Sequence, residues 1–260
     1  RGTLPFSELE TQNMMNFVNS RNIKTAFSAH TYGNYIIKPW CWQDPIGTPD
    51  DAMFNEFTSD MKASNGYTAG FPSETVGYKV RGGTDDWYYN DSGHGKIFSF
   101  TPETGTSFWP PQNQIVPLAQ GMLFSNQYLS LIAGPYVNPI SKKFNQPTYT
   151  PGQSGNFKVV FRNKGVMTAN NVKVQLTTIN PNLTIPTTQF TYPTLVTFAK
   201  DSSTFNFTIG VGAPNNCAIT CVLTIKLDTT TIYTTPVYLL VGSGTVTLND
   251  NAEAGLGNWT

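Results

Sequence analysis

Four stretches of this sequence carry residue types that could do chemistry together. The first is Ala26-Phe-Ser-Ala-His30-Thr-Tyr32-Gly, in which a short apolar run reaches a histidine. The second is Ile97-Phe-Ser-Phe-Thr-Pro-Glu103-Thr-Gly105, in which an apolar-alternating run delivers a glutamate. The third is Tyr78, on a glycine-bearing stretch, and the fourth is the acidic pair Asp85-Asp86 just beyond Gly82-Gly83. A histidine at the carboxyl end of a strand is where an α/β enzyme holds a metal ligand or a base. In an open parallel sheet the carboxyl ends of the strands share one crevice, so His30 and Glu103 could face each other there. A metal-ligating histidine beside a carboxylate that takes a proton from water is the arrangement of metal-assisted hydrolysis. Each residue also has a plainer reading. His30 could be a hydrogen-bonded structural histidine, Glu103 a strand-end turn residue and Tyr78 a surface aromatic. Asp85-Asp86 could simply place carboxylates on a helix dipole. His94, between Gly93 and Gly95, reads as an exposed loop residue without a role.

The elements that must position these residues change character near residue 134. Before it, strand-like and helix-like runs alternate. Ser7 with Glu10 reads as a capping box, followed by Met14, Phe17 and Val18 at helical spacing and a helix end near Asn22. A strand is expected from Ile23 to His30. Asp50-Asp51 starts a second helix with Met53, Phe54, Phe57 and Met61 on one face and Gly66 beyond its end. Residues 67–83 show no period and read as a long loop. A short helix follows from Thr84, a strand runs from Lys96 to Thr101 ahead of Glu103, and a last helix spans Pro117 to Leu131. This alternation predicts an α/β domain over residues 1–134, with a mixed, mostly parallel sheet and helices on both faces. From 135 to 241 alternating strands with turn signals predict an all-β, immunoglobulin-like sandwich. Residues 242–260 read as a linker and the first strands of a third β domain that is cut off.

Composition bounds the function classes. Only 12% of the residues are charged, the formal net charge is zero and aromatics reach 13%. That polar, uncharged surface is typical of secreted or cell-surface proteins and offers no footprint for nucleic acid. No apolar run approaches the roughly 20 residues of a membrane span. Three cysteines are too few for a disulfide framework, although Cys217 and Cys221 could bridge across a bend. Asn182-Leu-Thr and Asn206-Phe-Thr match the glycosylation acceptor pattern, which chance also produces in an Asn/Thr-rich chain.

Read together, the motifs resemble the second half of a zinc metallocarboxypeptidase catalytic domain of the carboxypeptidase A/B/T kind. The resemblance runs from Arg1-Gly-Thr-Leu-Pro-Phe-Ser-Glu through Ala29-His30-Thr-Tyr-Gly-Asn-Tyr and Pro39-Trp40. It continues through Tyr78, Gly82-Gly83-Thr-Asp-Asp-Trp87 and Phe98-Ser-Phe-Thr-Pro-Glu103 to Gln114-Ile-Val-Pro117. It implies that His30 is the third zinc ligand and that Glu103 is the general base. It further implies that Tyr78 and Tyr32 meet the bound peptide and that Asp85 lies at the base of the specificity pocket. An acidic residue there goes with C-terminal Lys or Arg, because an ion pair in a narrow apolar pocket is strong. Asp86 stays structural in this reading. The resemblance also implies cis peptide bonds at Thr31–Tyr32 and Pro39–Trp40.

The departure from the family is as specific as the match. Its other two zinc ligands come from a His-x-x-Glu motif, and no such motif occurs in this chain. One histidine cannot hold a catalytic zinc, which takes about three protein ligands and a water. The expectation is therefore a fragment, inactive alone, of a secreted zinc-dependent enzyme that cleaves the last peptide bond of peptides and proteins. The missing N-terminal half of the catalytic domain is its expected partner. The alternative is a non-catalytic secreted surface or adhesion protein, with a degenerate peptidase scaffold and a binding sandwich.

Overall fold

A computed structural model describes residue 2 and residues 4–242; the expected start of a third domain lies outside the described residues. Contacts divide the chain into two compact units. The first is Arg1–Tyr136 with the short segments Lys164–Thr168 and Val196–Phe198, and the remaining strands make the second.

In the first unit, a four-stranded mixed sheet has the order β1-β4-β2-β3. Its members are β1 (Thr25–Phe27), β2 (Tyr35–Ile37), β3 (Thr68–Gly70) and β4 (Phe98–Glu103). β1 runs parallel to β4 and β2 parallel to β3, while β2 and β4 are antiparallel. Helix α2 (Asp51–Asn65) buries Met53, Phe54, Phe57 and Met61, the stripe its sequence spacing predicts. Phe54 packs its ring against Tyr89, Phe98 and Phe100, joining α2 to β4. Gly66 ends the helix in the left-handed conformation at φ 71°, where a side chain would be strained. Helix α5 (Ile115–Ile132) starts two residues ahead of Pro117, the start its sequence predicts. Pro117 is accommodated in its first turn, where the missing N–H has no helical partner to lose.

Three sequence expectations for this unit fail for identifiable reasons. The Ser7–Glu10 capping box does not form. Helix α1 (Leu9–Asn19) has Glu8 at its N-cap, and the Ser7 hydroxyl donates to the Glu8 carboxylate instead. Asp50 sits at the N-cap of α2 but makes no cap hydrogen bond, because its carboxylate is taken by the Lys96 ammonium and by the Tyr89 hydroxyl at 2.8 Å. The long loop over 67–83 contains strand β3 and helix α3 (Pro72–Thr75), both too short to leave a periodic signature.

The second unit is a β-sandwich. One antiparallel sheet has the order β5-β6-β10-β8 and the other β12-β11-β7-β9. The strands are β5 (Val137–Phe144), β6 (Ser154–Asn163), β7 (Ala169–Thr177), β8 (Leu183–Thr184), β9 (Gln189–Leu195), β10 (Lys200–Ile209), β11 (Cys217–Leu227) and β12 (Thr230–Val241). Successive side chains alternate between the two faces of a strand. Phe157, Val159 and Phe161 of β6 and Phe205, Phe207 and Ile209 of β10 therefore point into one core. They meet Val172, Val174 and Leu176 of β7 and Ile219, Leu223 and Ile225 of β11. Cys217 and Cys221 are both free thiols on β11. Four residues along one extended strand separate them by about 13 Å, too far for a disulfide. The core alternation carries a direct consequence. Leu223→Ala, at a fully buried position, should lower stability by about 2–5 kcal/mol in urea unfolding. Val222→Thr, on the outward face of the same strand, should stay within about 0.5 kcal/mol of the parent.

Candidate active site

The site is built on β4. Its sequence Phe-Ser-Phe-Thr-Pro-Glu alternates, so Phe98 and Phe100 enter the core while Ser99, Thr101 and Glu103 share the opposite face. β1 lies alongside in parallel, with Phe27 level with Phe100. The pairing continues past the regular strand. Ser28 N–H donates to the Phe100 carbonyl at 3.0 Å, His30 N–H to Pro102 at 2.9 Å and Thr104 N–H to His30 at 3.0 Å. His30 and Glu103 thus sit level in a parallel bridge at the carboxyl ends of adjacent strands. On its other side Glu103 is level with Tyr35 of β2.

The turn after His30 is fixed by backbone. Gly33 N–H donates to the Gly105 carbonyl at 2.8 Å, and Gly105 N–H donates to Asn34 Oδ1 at 2.9 Å. Gly33 has φ 144°, and a Cβ there would lie 2.2 Å from the Tyr35 ring, so only glycine fits. Thr31–Tyr32 and Pro39–Trp40 are both cis, as the resemblance implies; Asp44–Pro45 is cis as well.

Asp85 lies in the first turn of helix α4 (Thr84–Asn90) and is buried, at 3% exposure. It is tied to the Glu103 face of β4. The Ser99 hydroxyl donates to its Oδ1, and the Thr101 hydroxyl donates to its Oδ2 at 2.7 Å. Burial pushes its carboxyl up to about 6, against the opposing pull of the two hydroxyls and of His30; Asp86 adds a smaller upward push. Burial also raises the Glu103 carboxyl, and His30 opposes that shift. Glu103 Oε2 is buried and has no hydrogen-bond partner. His30 is exposed and bears electrostatically on both carboxylates, which brings His30, Asp85 and Glu103 into one constellation.

Asp86 faces elsewhere. Its carboxylate accepts the backbone N–H groups of Cys41 at 2.8 Å and Trp42 at 3.1 Å, which anchors α4 to the 39–42 turn. Tyr78 is 64% exposed and sits between Gly77 and Gly82, both at positive φ, on a segment held to Cys41 by the Val80 N–H. Tyr32 is half exposed and packs edge-on against Phe108 at 4.8 Å. Among the described residues no hydrogen bond or ring contact ties Tyr32 or Tyr78 to the His30–Asp85–Glu103 group. His94 is not the exposed loop residue its flanking glycines imply. Its ring packs edge-on against Trp87 at 4.8 Å and its Nδ1 is 2.8 Å from the Gly95 carbonyl. Sequence reasoning missed Ser99 and Thr101 as partners of Asp85, although their period-2 spacing with Glu103 is the signal that places them on its face.

The donor set is short of a metal centre. Among the described residues no group of three His, Cys, Asp or Glu side chains could hold a metal ion. A catalytic zinc takes about three protein ligands and keeps one position open. His30 supplies one imidazole, so the described residues alone do not fit a catalytic zinc.

Residues 1–125 match the family model of zinc carboxypeptidases. Carboxypeptidase A1 of Sus scrofa is 33% identical over 129 residues, covering 46% of this chain and 30% of the relative. Carboxypeptidase B of Canis lupus familiaris is 29% identical over 136 residues, covering 48% of this chain and 32% of the relative. The matched stretch thus spans about a third of the length of these curated relatives. Among solved structures, the CARDB domain of a Pyrococcus furiosus protein in complex with di-metal ions matches 41% of this chain and 88% of its own, at 15% identity and TM-score 0.32. The amino-terminal part of the chain is a zinc carboxypeptidase-like domain, followed by a β-sandwich. No described helix is long and apolar enough to cross a membrane.

The raised Asp85 carboxyl makes stability depend on pH. From the ordinary 3.8 to about 6, the folded chain keeps a proton that the unfolded chain has released. Stability therefore falls as pH rises through that window and levels off above it, by about 3 kcal/mol from this group. Asp85→Asn should flatten the slope of the urea midpoint between pH 4 and pH 6, whereas an unchanged slope would remove Asp85 as its source.

Proposed function

We propose that this chain supplies the general-base half of a zinc-dependent carboxypeptidase site, which removes the C-terminal residue from peptides and proteins, with a preference for Lys or Arg. The observation that carries the reading is the constellation itself. His30 and Glu103 lie level at adjacent strand ends, with Asp85 held on the Glu103 face of β4. Glu103 takes a proton from the attacking water and returns it to the leaving amine. Its desolvated carboxyl, raised toward neutrality, is the better base for that task. Asp85 lies at the base of the specificity pocket, where an anion held by two hydroxyls pairs with a cationic C-terminal side chain. Tyr78, exposed and flanked by two positive-φ glycines, is the residue that closes over bound peptide in this reading, and Tyr32, half exposed, meets the same peptide.

Among the described residues His30 is the one zinc ligand on offer in this reading. The other two belong to the polypeptide that completes the catalytic domain, and that polypeptide is the partner this half requires. The polar, weakly charged composition supports a secreted or cell-surface protein. The incomplete ligand set also favours a second reading, a surface or adhesion protein in which the peptidase-like half is scaffold. Stoichiometric zinc in the protein carrying the whole domain would separate the two, because a mere scaffold has no reason to hold it.

In that protein Glu103→Gln should cut peptide hydrolysis by at least about 10²-fold while zinc content stays unchanged. Undiminished turnover would refute the assignment of Glu103. Arg-ended peptides should be preferred over Phe-ended ones at pH 8. The preference should shrink below about pH 6, where Asp85 takes up its proton and loses its charge. A Phe preference at pH 8 would sink the Asp85 assignment.

A further inference from the structure

A pocket in the first unit, of about 570 Å³, has walls formed by Phe6, Trp40, Trp42 and Trp87 and carries the carboxylates of Asp86 and Asp91. None of His30, Tyr32, Tyr78, Asp85 or Glu103 borders it, and neither does any Lys, Arg or His among the described residues. The volume lies in the range of pockets that hold small molecules. The aromatic walls are set by their own packing. Phe6 meets Trp87 at 5.2 Å and 63°, and Trp40 meets Tyr89 at 5.0 Å and 88°. Phe6 adopts φ 56°, a left-handed conformation that a bulky aromatic avoids unless its surroundings hold it there. The carboxylates are fixed as well. Asp86 accepts two backbone N–H groups, and Asp91 Oδ1 accepts the Gly93 N–H at 2.7 Å.

We propose that this pocket binds a diffuse organic cation, a quaternary ammonium or a guanidinium group, against its indole faces. Tryptophan faces attract cations through the negative side of their quadrupole, and the carboxylates supply the balancing charge. The other ligand classes fit poorly. An anion would meet two carboxylates with no cation among the lining side chains. A hard metal ion needs six or more oxygen donors, and the aromatic walls offer none. A compact ammonium must replace several strong hydrogen bonds to water, yet the Asp86 oxygens are already engaged by backbone. A cation whose charge is spread over methyl groups or a guanidinium plane makes a smaller demand. The site shares no lining side chain with His30, Asp85 and Glu103 of the proposed peptidase chemistry.

The test uses the 260-residue chain, with indole N–H resonances as the readout. The ligands are choline, its uncharged isostere 3,3-dimethylbutan-1-ol, and N-acetylarginine amide. Saturable binding of choline or the arginine amide, with the isostere weaker by at least about tenfold, is the expected result. Whichever cation binds identifies the source. Trp42→Ala, at a half-exposed position, and Asp91→Asn, which can still accept the Gly93 N–H, should each weaken that cation by about fivefold with the urea midpoint unchanged. Equal affinity for the neutral isostere, no saturable binding of either cation, or variants that bind as tightly as the parent would each overturn the proposal.

Discussion

The parallel pairing of β1 with β4 is the constraint on which the candidate site depends. Each strand alone is of ordinary length, and among the described residues no side-chain hydrogen bond holds His30 or Glu103. What aligns them is backbone. Three successive N–H···O bonds, from Ser28, His30 and Thr104, extend the ladder beyond the regular strand until the two residues stand level. A slip of one residue would turn Glu103 to the core face and bring Pro102 into its place. The aromatic core prevents that slip. Phe98 and Phe100 are locked among Phe54, Phe57 and Tyr89, so the face that carries Ser99, Thr101 and Glu103 has no freedom to invert.

The same alternation explains the electrostatics. A face of a central strand that carries two hydroxyls and a carboxylate is polar, and the hydroxyls are spent on Asp85. They satisfy Asp85 without neutralising it, because a hydroxyl donates a hydrogen bond and brings no net charge. The burial cost therefore survives as a raised carboxyl, and Glu103 is left with one oxygen unpaired. A structural core would have given Asp85 a balancing cation and Glu103 a donor. Here His30 is the group within electrostatic reach of both, and it is exposed. A raised buried carboxyl beside an unpaired carboxylate oxygen is the kind of perturbation that clusters at functional sites.

Much of this was legible in the sequence, and the parts that were not share a cause. The α2 stripe, the Gly66 stop and the alternation of the sandwich strands are local periodicities, and they appear where expected. The order of His30, Tyr78, Asp85 and Glu103 was readable, and so was the strand end that carries Glu103. What failed depended on partners far along the chain. Asp50 looks like a cap in isolation but is claimed by Tyr89 and Lys96, 39 and 46 residues away. Cys217 and Cys221 look like a pair across a bend until β11 is seen to run straight through both. β3 exists because β2 gives it a partner, and its three residues carry no pattern of their own.

The adjacent aspartates show where spacing alone stops. Asp85 and Asp86 follow one another in the first turn of α4, and in the sequence they read as anions on a helix dipole, or, by the family resemblance, as a pocket residue beside a structural one. Neighbouring side chains on a helix are about 100° apart, so two consecutive acids cannot serve the same site. Asp85 turns to the hydroxyls of β4, where no backbone N–H is available and its charge stays costly. Asp86 turns to the Cys41 and Trp42 amides, which take up its oxygens and tie the helix to the 39–42 turn. The amides come from a segment whose own strand, β2, is bonded to β4. Asp86 thus fixes the helix against the strand that Asp85 faces, and the geometry of the buried acid depends on the half-buried one beside it. The pair acts as one device in which the second carboxylate positions the first.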